Sequence, residues 1–427
     1  MKVLLESPIL TQSGYGEHSR LVFESIKDLG LEIHLLPVGW GNTPWSIGST
    51  EVHTKEIEEG IRRFELYNNH CKQTNQAPQF DAHIHVGILN EFKKKANYSV
   101  CVTAGIETDR VSPEWLIKTH QEGPDKIIVP SEHAKLGFEQ TSFEILVKNQ
   151  QNQNEKQLLE LNKNCPIEVV PYPIKEIETS NIDIELETDF NFLTVSLLGP
   201  RKNIEESLIW FLEEFGEEEN VGLVLKTAQA RASIMDRINT TEHLNNIIQN
   251  FPNSKCKIYL LHGNLSDSEI NSLYNHPKIK AYITATHGEG YGLPIFEAAY
   301  NGLPVIATNW SGHLDFLTGQ IKENNKIKEK KLFAKIEYDL KEIPKSVVWE
   351  NILIEGSKWA FPKPSSFKSQ ARKVYKNYGM YKKWASILQN KLQKTHSKEV
   401  ILKKMSDALI PEDQREWLTA LNEIEIL

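Results

Sequence analysis

The 427-residue sequence contains only four cysteines, Cys71, Cys101, Cys165 and Cys256. They lie far apart and form no Cys-x-x-Cys pair, which argues against a zinc site or a disulfide framework and favours a reducing compartment. No apolar run approaches the roughly 20 residues that a membrane span needs. The opening MKVLLESPIL is too short in apolar length for a signal peptide and predicts a first strand. We therefore expect a cytoplasmic protein without a transmembrane segment.

An excess of positive charge is also missing, because 49 Lys and Arg face 57 Asp and Glu, which gives a formal net charge of -8. This balance argues against a broad surface for nucleic acid or anionic membranes, although it is compatible with a local basic cleft. The hydrophobic content of 40% and the charged content of 25% are typical of soluble globular proteins. The length suits two or three domains.

The most informative stretch is residues 280–313, KAYITATHGEGYGLPIFEAAYNGLPVIATNWSGH. It opens with an apolar run that is typical of a strand and continues into a turn with three glycines at 287–292. A short helix should follow, because Pro294 suits a first helical turn and Gly302 suits a helix end. A second apolar run completes the pattern, which predicts one βαβ unit.

Two carboxylates, Glu289 in the turn and Glu297 in the helix, are separated by seven residues. An ionised carboxylate only accepts hydrogen bonds, so it suits the hydroxyls of a sugar or a ribose. The glycine-rich turn lets a ligand approach the backbone, and the helix start after it offers N–H groups to a phosphate. The alternative is structural: a solvated loop glutamate and a helix-start charge favoured by the helix dipole.

This arrangement, embedded as HGEGYGLPIFEAAYNGLPVIAT, resembles the signature of retaining glycosyltransferases of the GT-B fold, in the large family 4 group. The resemblance is strong over residues 190–315 and weaker over 1–175 and 345–390. It implies an α/β fold in which two Rossmann-like domains face each other across a cleft, with C-terminal helices.

The alternation of strand and helix patterns along the chain predicts parallel sheets with helices on both faces. We assign residues 1–175 to an N-terminal Rossmann-like domain on the acceptor side and 176–189 to an acidic linker. Residues 190–365 form the C-terminal Rossmann-like domain that would bind a nucleotide sugar. Residues 366–427 are expected to form C-terminal helices that partly pack back on the N-terminal domain.

Two segments are predicted by composition and period. Residues 141–164 are rich in Gln and Asn with little pattern, and they predict an exposed insertion. Residues 366–392 have helical apolar spacing throughout and predict one long amphipathic helix.

A basic turn contains Arg201 and Lys202 between a strand and a helix, and Lys226 ends the next strand. Cations at these strand ends would stabilise the charge that a diphosphate leaving group gathers as its bond to the sugar breaks. The family usually has an arginine, four residues and a lysine here, whereas Glu206 stands five positions beyond Arg201. We assign the role to the adjacent pair together with Lys226. The alternative is a solvated basic turn.

The resemblance implies further roles. Glu297 would hold the nucleotide ribose and Glu289 the sugar hydroxyls, while a glycine-containing loop near the N-terminus would face the donor diphosphate or the acceptor. The backbone positions assigned to donor binding in this way are Gly290, Tyr291, Gly292, Leu293, Gly14 and Gly16. No metal and no other cofactor is implied. Transfer in this fold is thought to be front-face, with the diphosphate taking the acceptor proton.

His83 and His85 lie in a predicted strand at 81–86 and point to the same face, because side chains alternate along a strand. Two such histidines could bind a metal. No third ligand is evident in the sequence, so we expect structural histidines with satisfied hydrogen bonds.

We therefore expect a retaining glycosyltransferase that moves a sugar from a nucleotide-sugar donor to an acceptor hydroxyl of a glycan, a lipid-linked or another acceptor. One alternative is transfer to a hydroxylated base in DNA, against which the net charge counts mildly. Another is a non-catalytic nucleotide-sugar binding protein. A phosphorylase of the same fold ranks last, because it needs a pyridoxal phosphate lysine and typically a longer chain.

Overall fold

The computed structural model describes residues 1–41, 54–120, 122–148, 154–180, 182, 184–230, 233–323 and 326–411. The chain divides into two compact units. The first comprises Met1–Pro173, Val348–Ser357 and Lys398–Leu427, and the second comprises Ile174–Val347 and Lys358–Ser397. Residues 412–427, where the sequence predicts part of the C-terminal helices, lie outside the described residues.

The first unit is built on a six-stranded parallel sheet in the order β2-β1-β3-β4-β5-β8. Its elements are β1 (Lys2–Ser7), α1 (Gly14–Ile26), β2 (Glu32–Pro37), α2 (Thr54–Gln73), β3 (Ala82–Val86), a 3₁₀ turn (Leu89–Glu91), β4 (Tyr98–Val102), α3 (Pro113–His120), β5 (Lys126–Val129), α4 (Glu132–Glu139), β6 (Phe143–Lys148), β7 (Asn154–Leu159) and β8 (Ile167–Val169). The strand order reverses at β1, which has β2 on one side and β3 on the other.

Apolar side chains cover both faces of this sheet, as expected for parallel strands with helices on each side. Cys101 and Ile127 are fully buried, and on one face they meet Trp115 and Phe138, whose ring centroids lie 5.6 Å apart. Each such side chain contributes roughly 1.5–3 kcal/mol to stability by leaving water. This core thus holds the strands in register, and it thereby positions the polar residues at the ends of the strands.

The second unit also contains a six-stranded parallel sheet, in the order β11-β10-β9-β12-β13-β16. Its elements are β9 (Phe190–Val195), a 3₁₀ turn (Pro200–Lys202), α5 (Ile204–Phe215), β10 (Val221–Lys226), α6 (Ile234–Ile248), β11 (Lys257–Leu261), α7 (Asp267–Tyr274), β12 (Ile279–Ile283), α8 (Leu293–Tyr300), β13 (Val305–Thr308), a 3₁₀ turn (Gly312–Leu314), β14 (Thr318–Glu323), β15 (Lys326–Lys331), β16 (Ala334–Ile336), β17 (Tyr338–Glu342), a 3₁₀ turn (Lys345–Val347), β18 (Lys358–Pro362), α9 (Pro364–Lys376) and α10 (Tyr378–Thr395). The reversal here is at β9, between β10 and β12.

The predicted βαβ unit is confirmed as β12, α8 and β13. Gly292 caps α8 with a φ of 91°, a left-handed conformation that favours glycine, and Pro294 lies in the first helical turn. Gly302, with a φ of 71°, follows the helix as predicted.

The insertion predicted at 141–164 is exposed along most of β7, and it contains an antiparallel hairpin of β6 and β7 that the sequence pattern does not indicate. One local prediction is corrected. The predicted single helix at 366–392 is two helices, α9 and α10, because Asn377 departs from helical geometry with φ −117° and ψ 36°.

The chain returns to the first unit at its C-terminal end. Helix α11 (Lys398–Leu409) buries Ile401 and Met405, and it packs on α1. The Lys126 ammonium donates to the carbonyl of Ala408 at 2.9 Å. Among the described residues, no helix combines the length and the apolar character needed to cross a membrane.

Candidate functional site

The site in the second unit lies where the strand order reverses. Arg201 and Lys202 belong to the 3₁₀ turn that follows β9, and Glu289 lies in the turn that follows β12. These two strands are neighbours in the sheet and run parallel. In sheets of this order, ligands bind beyond the carboxyl ends of the strands at the reversal. Three predicted site residues are therefore brought together at the expected edge of the sheet.

The Glu289 carboxylate contacts both cations directly. Lys202 Nζ lies 2.7 Å from Oε1 and 2.9 Å from Oε2, and Arg201 Nη1 lies 3.0 Å from Oε2. The carboxylate side chain is 9% exposed, while those of Arg201 and Lys202 are 25% and 22% exposed. We call these three residues the ion-pair triad. It carries one net positive charge, from two cations and one carboxylate, and the cations form its accessible side.

Hydrogen bonds that involve backbone groups connect the two turns that carry the triad. Arg201 Nη1 donates to the carbonyl of Gly288 at 2.5 Å, and the N–H of His287 donates to the carbonyl of Arg201 at 2.8 Å. The N–H of Glu289 donates to Ser311 Oγ at 2.9 Å. The turn that carries Glu289 is thus hydrogen-bonded both to the turn of Arg201 and to Ser311, which fixes the orientation of the carboxylate before any ligand binds.

Burial alone would raise the pKa of Glu289, but the charges of Lys202 and Arg201 outweigh it and lower the pKa to about 2. The carboxylate is therefore ionised throughout the neutral range. A carboxylate of such low pKa is a weak base, so the site is built to accept hydrogen bonds rather than to remove protons.

We expect the triad to make stability depend on pH. Because the pKa of Glu289 falls from 4.5 to about 2 on folding, its ionisation stabilises the fold above pH 4.5, and that contribution disappears as the pH falls toward 2. The contribution is about 3 kcal/mol at pH 7, of which about 2 kcal/mol is lost by pH 3. Melting curves of wild type and Glu289→Gln should therefore lie far apart at pH 7 and close together at pH 3. An unchanged gap would contradict the assigned pKa.

The second predicted carboxylate, Glu297, lies on α8 and is oriented by a tyrosine. Tyr274, the last residue of α7, donates its hydroxyl to Glu297 Oε2 at 2.9 Å. Burial, and next the charge of Glu297, raises the pKa of Tyr274 well above its usual value, so the hydroxyl stays a donor. The sequence does not indicate this pair, because 23 positions separate the two residues.

The remaining predicted residues are distributed over both units. Lys226 ends β10 and donates to the carbonyl of Gly263 at 2.5 Å, and burial lowers the pKa of its ammonium. The backbone positions predicted to bind the donor fall in two places: Gly290, Tyr291, Gly292 and Leu293 lead into α8, and Gly14 and Gly16 lie in the first turn of α1 in the first unit. Their part in donor binding stays a prediction.

Glycine is required at two of these positions. A Cβ at Gly16 would lie 2.0 Å from the carbonyl oxygen of Thr11, which is closer than any side chain allows. Gly292 has a positive φ, and a Cβ there would lie 3.4 Å from Glu289 Cγ. The tyrosine between, Tyr291, is buried against Phe296 and Phe316, so its side chain serves packing.

A separate polar cluster lies in the first unit. Glu6 on β1 joins His83 and His85 on β3, and ligand atoms of all three residues lie within 4.8 Å of one another. The expectation of satisfied structural histidines is wrong for His85, because neither of its ring nitrogens has a hydrogen-bond partner in the part of the chain that the structure describes. The sequence contains no signal that Glu6 joins the two histidines, since Glu6 and His83 are 77 positions apart.

Comparison with known proteins places the ion-pair triad in a recognised region. Residues 183–324, which include the triad and Glu297, match the model of the family Glycosyl transferases group 1. The serotype-specific mannosyltransferase WbdA of Escherichia coli is 32% identical over 116 residues, which is 27% of this chain and 13% of WbdA. The match thus spans about one eighth of the length of this relative.

Several solved structures are similar over nearly the whole chain. HepE of Anabaena, solved in complex with UDP and glucose, has a TM-score of 0.59 at 12% identity and covers 96% of this chain and 99% of its own. Sucrose-phosphate synthase of Thermosynechococcus elongatus has a TM-score of 0.58 at 11% identity, with 98% and 100% covered. A glycosyltransferase of Rickettsia africae ESF-5 has a TM-score of 0.57 at 13% identity, with 99% covered in each. The predicted α/β fold of the GT-B type, with two Rossmann-like units, is confirmed.

Proposed function

We propose that this chain is a retaining glycosyltransferase, which transfers a sugar from a nucleotide-sugar donor to an acceptor hydroxyl. The observation that carries the proposal is the ion-pair triad: a buried carboxylate between two cations, at the strand-order reversal, inside the region that matches Glycosyl transferases group 1. A nucleotide sugar presents both a diphosphate and sugar hydroxyls, and the triad offers a partner for each.

Arg201 and Lys202 would bind the diphosphate. Their side chains keep about a quarter of their surface exposed while one carboxylate neutralises one of the two charges. Negative charge on the diphosphate grows as its bond to the sugar breaks, so cations already held in place stabilise the transition state more than the ground state. Lys226, at the end of the adjacent strand β10, would add a third cation.

Glu289 would accept a hydrogen bond from a sugar hydroxyl. An ionised carboxylate has about four lone-pair sites. Three are used by the contacts with Lys202 and Arg201, which leaves about one on Oε1 for a ligand. The low pKa of Glu289 keeps this acceptor ionised and makes it unsuited to act as a general base.

Glu297 would hold the ribose of the nucleotide. Its Oε2 is fixed by the Tyr274 hydroxyl, so the carboxylate presents a defined geometry to the two ribose hydroxyls. Tyr274 is a positioning residue in this scheme. Hydrogen bonds to a charged acceptor contribute about 1.5–3 kcal/mol each, which would make Glu297 a main determinant of donor affinity.

The reaction would proceed on the face that the diphosphate leaves. The bond between the anomeric carbon and the phosphate oxygen breaks, a bond from the acceptor oxygen to the same carbon forms, and the acceptor proton passes to the departing diphosphate. This route uses neither a protein nucleophile nor a metal, and it gives retention of configuration. The proposal includes a reducing compartment, with which the four buried thiols agree.

Thermal shift against UDP-, GDP-, dTDP- and ADP-sugars tests the donor site. A ligand that binds the folded state at 100 times its Kd stabilises it by about 2.7 kcal/mol, so one nucleotide class should raise the melting temperature by a few degrees. Glu297→Ala should lose most of that shift, since about 10–100-fold of affinity is removed with the carboxylate.

Glu205→Ala is the matched control, because this carboxylate on α5 pairs with exposed His243. Its melting temperature should rise with a nucleotide sugar as that of wild type does. If no nucleotide sugar at millimolar concentration raises the melting temperature of wild type, the donor site is wrongly assigned. Stabilisation without release of nucleoside diphosphate, over a panel of glycan and lipid-linked acceptors, would instead favour a binding protein. Proton NMR of the product identifies the anomer and thereby tests retention.

A further inference from the structure

The cluster of Glu6, His83 and His85 has the spacing of a metal site. His83 Nε2 lies 3.2 Å and His85 Nδ1 lies 3.7 Å from Glu6 Oε2. For ligands about 2.0–2.1 Å from a tetrahedral ion, neighbouring donor atoms are about 3.4 Å apart. Both distances to Glu6 Oε2 are therefore close to this spacing, and ligand atoms of all three residues lie within 4.8 Å of one another.

The strand register brings the three side chains together. Glu6 and His85 are register partners on the neighbouring strands β1 and β3. His83 lies two residues before His85 and on the same face. The three side chains therefore meet on one face of the sheet, within the strands.

One buried nitrogen inside the cluster has no hydrogen-bond partner among the described residues. It is His85 Nδ1, which lies 3.7 Å from Glu6 Oε2. The two histidines are buried and pack on Phe92, one ring stacked and one edge-on. Each buried polar group left alone costs about 1–3 kcal/mol, so native proteins normally satisfy it with a protein group, a water or an ion.

The Glu6 carboxylate is oriented toward the two histidines. Lys95 Nζ binds the other oxygen, Oε1, at 2.7 Å and so orients the carboxylate while Oε2 faces the histidines.

We propose that Glu6, His83 and His85 bind one divalent transition-metal ion of the zinc class in the first unit. Two imidazoles and one carboxylate suit such an ion better than they suit Mg²⁺ or Ca²⁺. The fourth coordination position is left for water or a ligand. The three residues belong to the first unit, whereas the ion-pair triad belongs to the second.

The test uses the full chain, stripped with EDTA, dialysed and titrated with ZnCl₂. Wild type should bind one equivalent of zinc, with a higher melting temperature, because the ion binds the folded state. His83→Gln and His85→Gln should weaken binding by more than about 100-fold, since loss of an outer-shell partner alone costs 10–100-fold. The matched control is His34→Gln, a buried histidine paired with Glu32 on β2, which should bind as wild type does.

Cobalt provides a second readout. Co²⁺ bound to the stripped wild type should give the intense visible bands of a four- or five-coordinate ion. Glu6→Gln preserves the shape of the side chain and removes its charge, so it should abolish these bands, and it tests the site even if the histidine variants fail to fold. The proposal is overturned if wild type binds no stoichiometric zinc, if Co²⁺ shows only the weak spectrum of the hydrated ion, or if a folded ligand variant binds as wild type does.

Discussion

Replacing Lys202 by methionine is expected to lower kcat/KM for glycosyl transfer by about 10²–10³-fold, the usual effect of removing one preorganised group that stabilises transition-state charge. Methionine keeps the length of the side chain and removes its charge. The remaining Arg201–Glu289 pair is then neutral overall, so the net positive charge that attracts the diphosphate is gone. Most of the loss should appear in kcat, because charge on the diphosphate is greatest in the transition state.

Lys278→Met is the matched control for this prediction. Lys278 directly precedes β12, at the opposite end from Glu289, and donates to the carbonyl of Leu186 at 2.7 Å. It should leave steady-state kinetics close to wild type. Equal activity of Lys202→Met and Lys278→Met, with any donor that turns over, would show that Lys202 takes no part in the chemistry.

Replacing Glu289 by glutamine is expected to cost about 2–3 kcal/mol of stability. Breaking a buried ion pair from one side costs about 3–5 kcal/mol, because the partner charge is left uncompensated. We expect a cost at or below the lower end of this range, because Arg201 and Lys202 keep about a quarter of their surface in water. Activity should fall by about 10²-fold or more as well, because the sugar loses its charged acceptor.

The double variant Lys202→Met, Glu289→Gln separates charge from packing. Glu289→Gln leaves the charges of Arg201 and Lys202 without the carboxylate between them. Removing the Lys202 charge as well relieves their repulsion, so the double variant should be more stable than the sum of the single changes predicts. Groups in contact usually couple by about 0.5–3 kcal/mol. The expected coupling is at least 1 kcal/mol in urea unfolding of the second unit. Strictly additive effects would mean that the two side chains do not interact in solution.

The sequence was sufficient for the parts of this molecule that are local. The turn glycines, Pro294 and the apolar runs of residues 280–313 predict β12, α8 and β13, because each signal acts within a few positions. Chain-wide alternation of such units was enough to predict the fold class.

Contacts between residues far apart in the sequence could not be predicted. The structure pairs Arg201 with Glu289 across 88 positions because the strands before them are neighbours in the sheet, and the sequence does not indicate this contact. Glu6 reaches the two histidines for the same reason. Strand order decides both encounters, and a single sequence contains no local signal for it.

The return of α11 to the first unit has a consequence for synthesis on the ribosome. Chains generally fold domain by domain from the N-terminus as they emerge. Here the first sheet is complete once β8 has been made, but the surface of α1 that contacts α11 has no cover until residues after Lys398 emerge. The second unit, Ile174–Val347 with Lys358–Ser397, is made in between. The earliest part of the chain therefore reaches its final packing last, and a nascent chain must keep that apolar surface from other contacts until then.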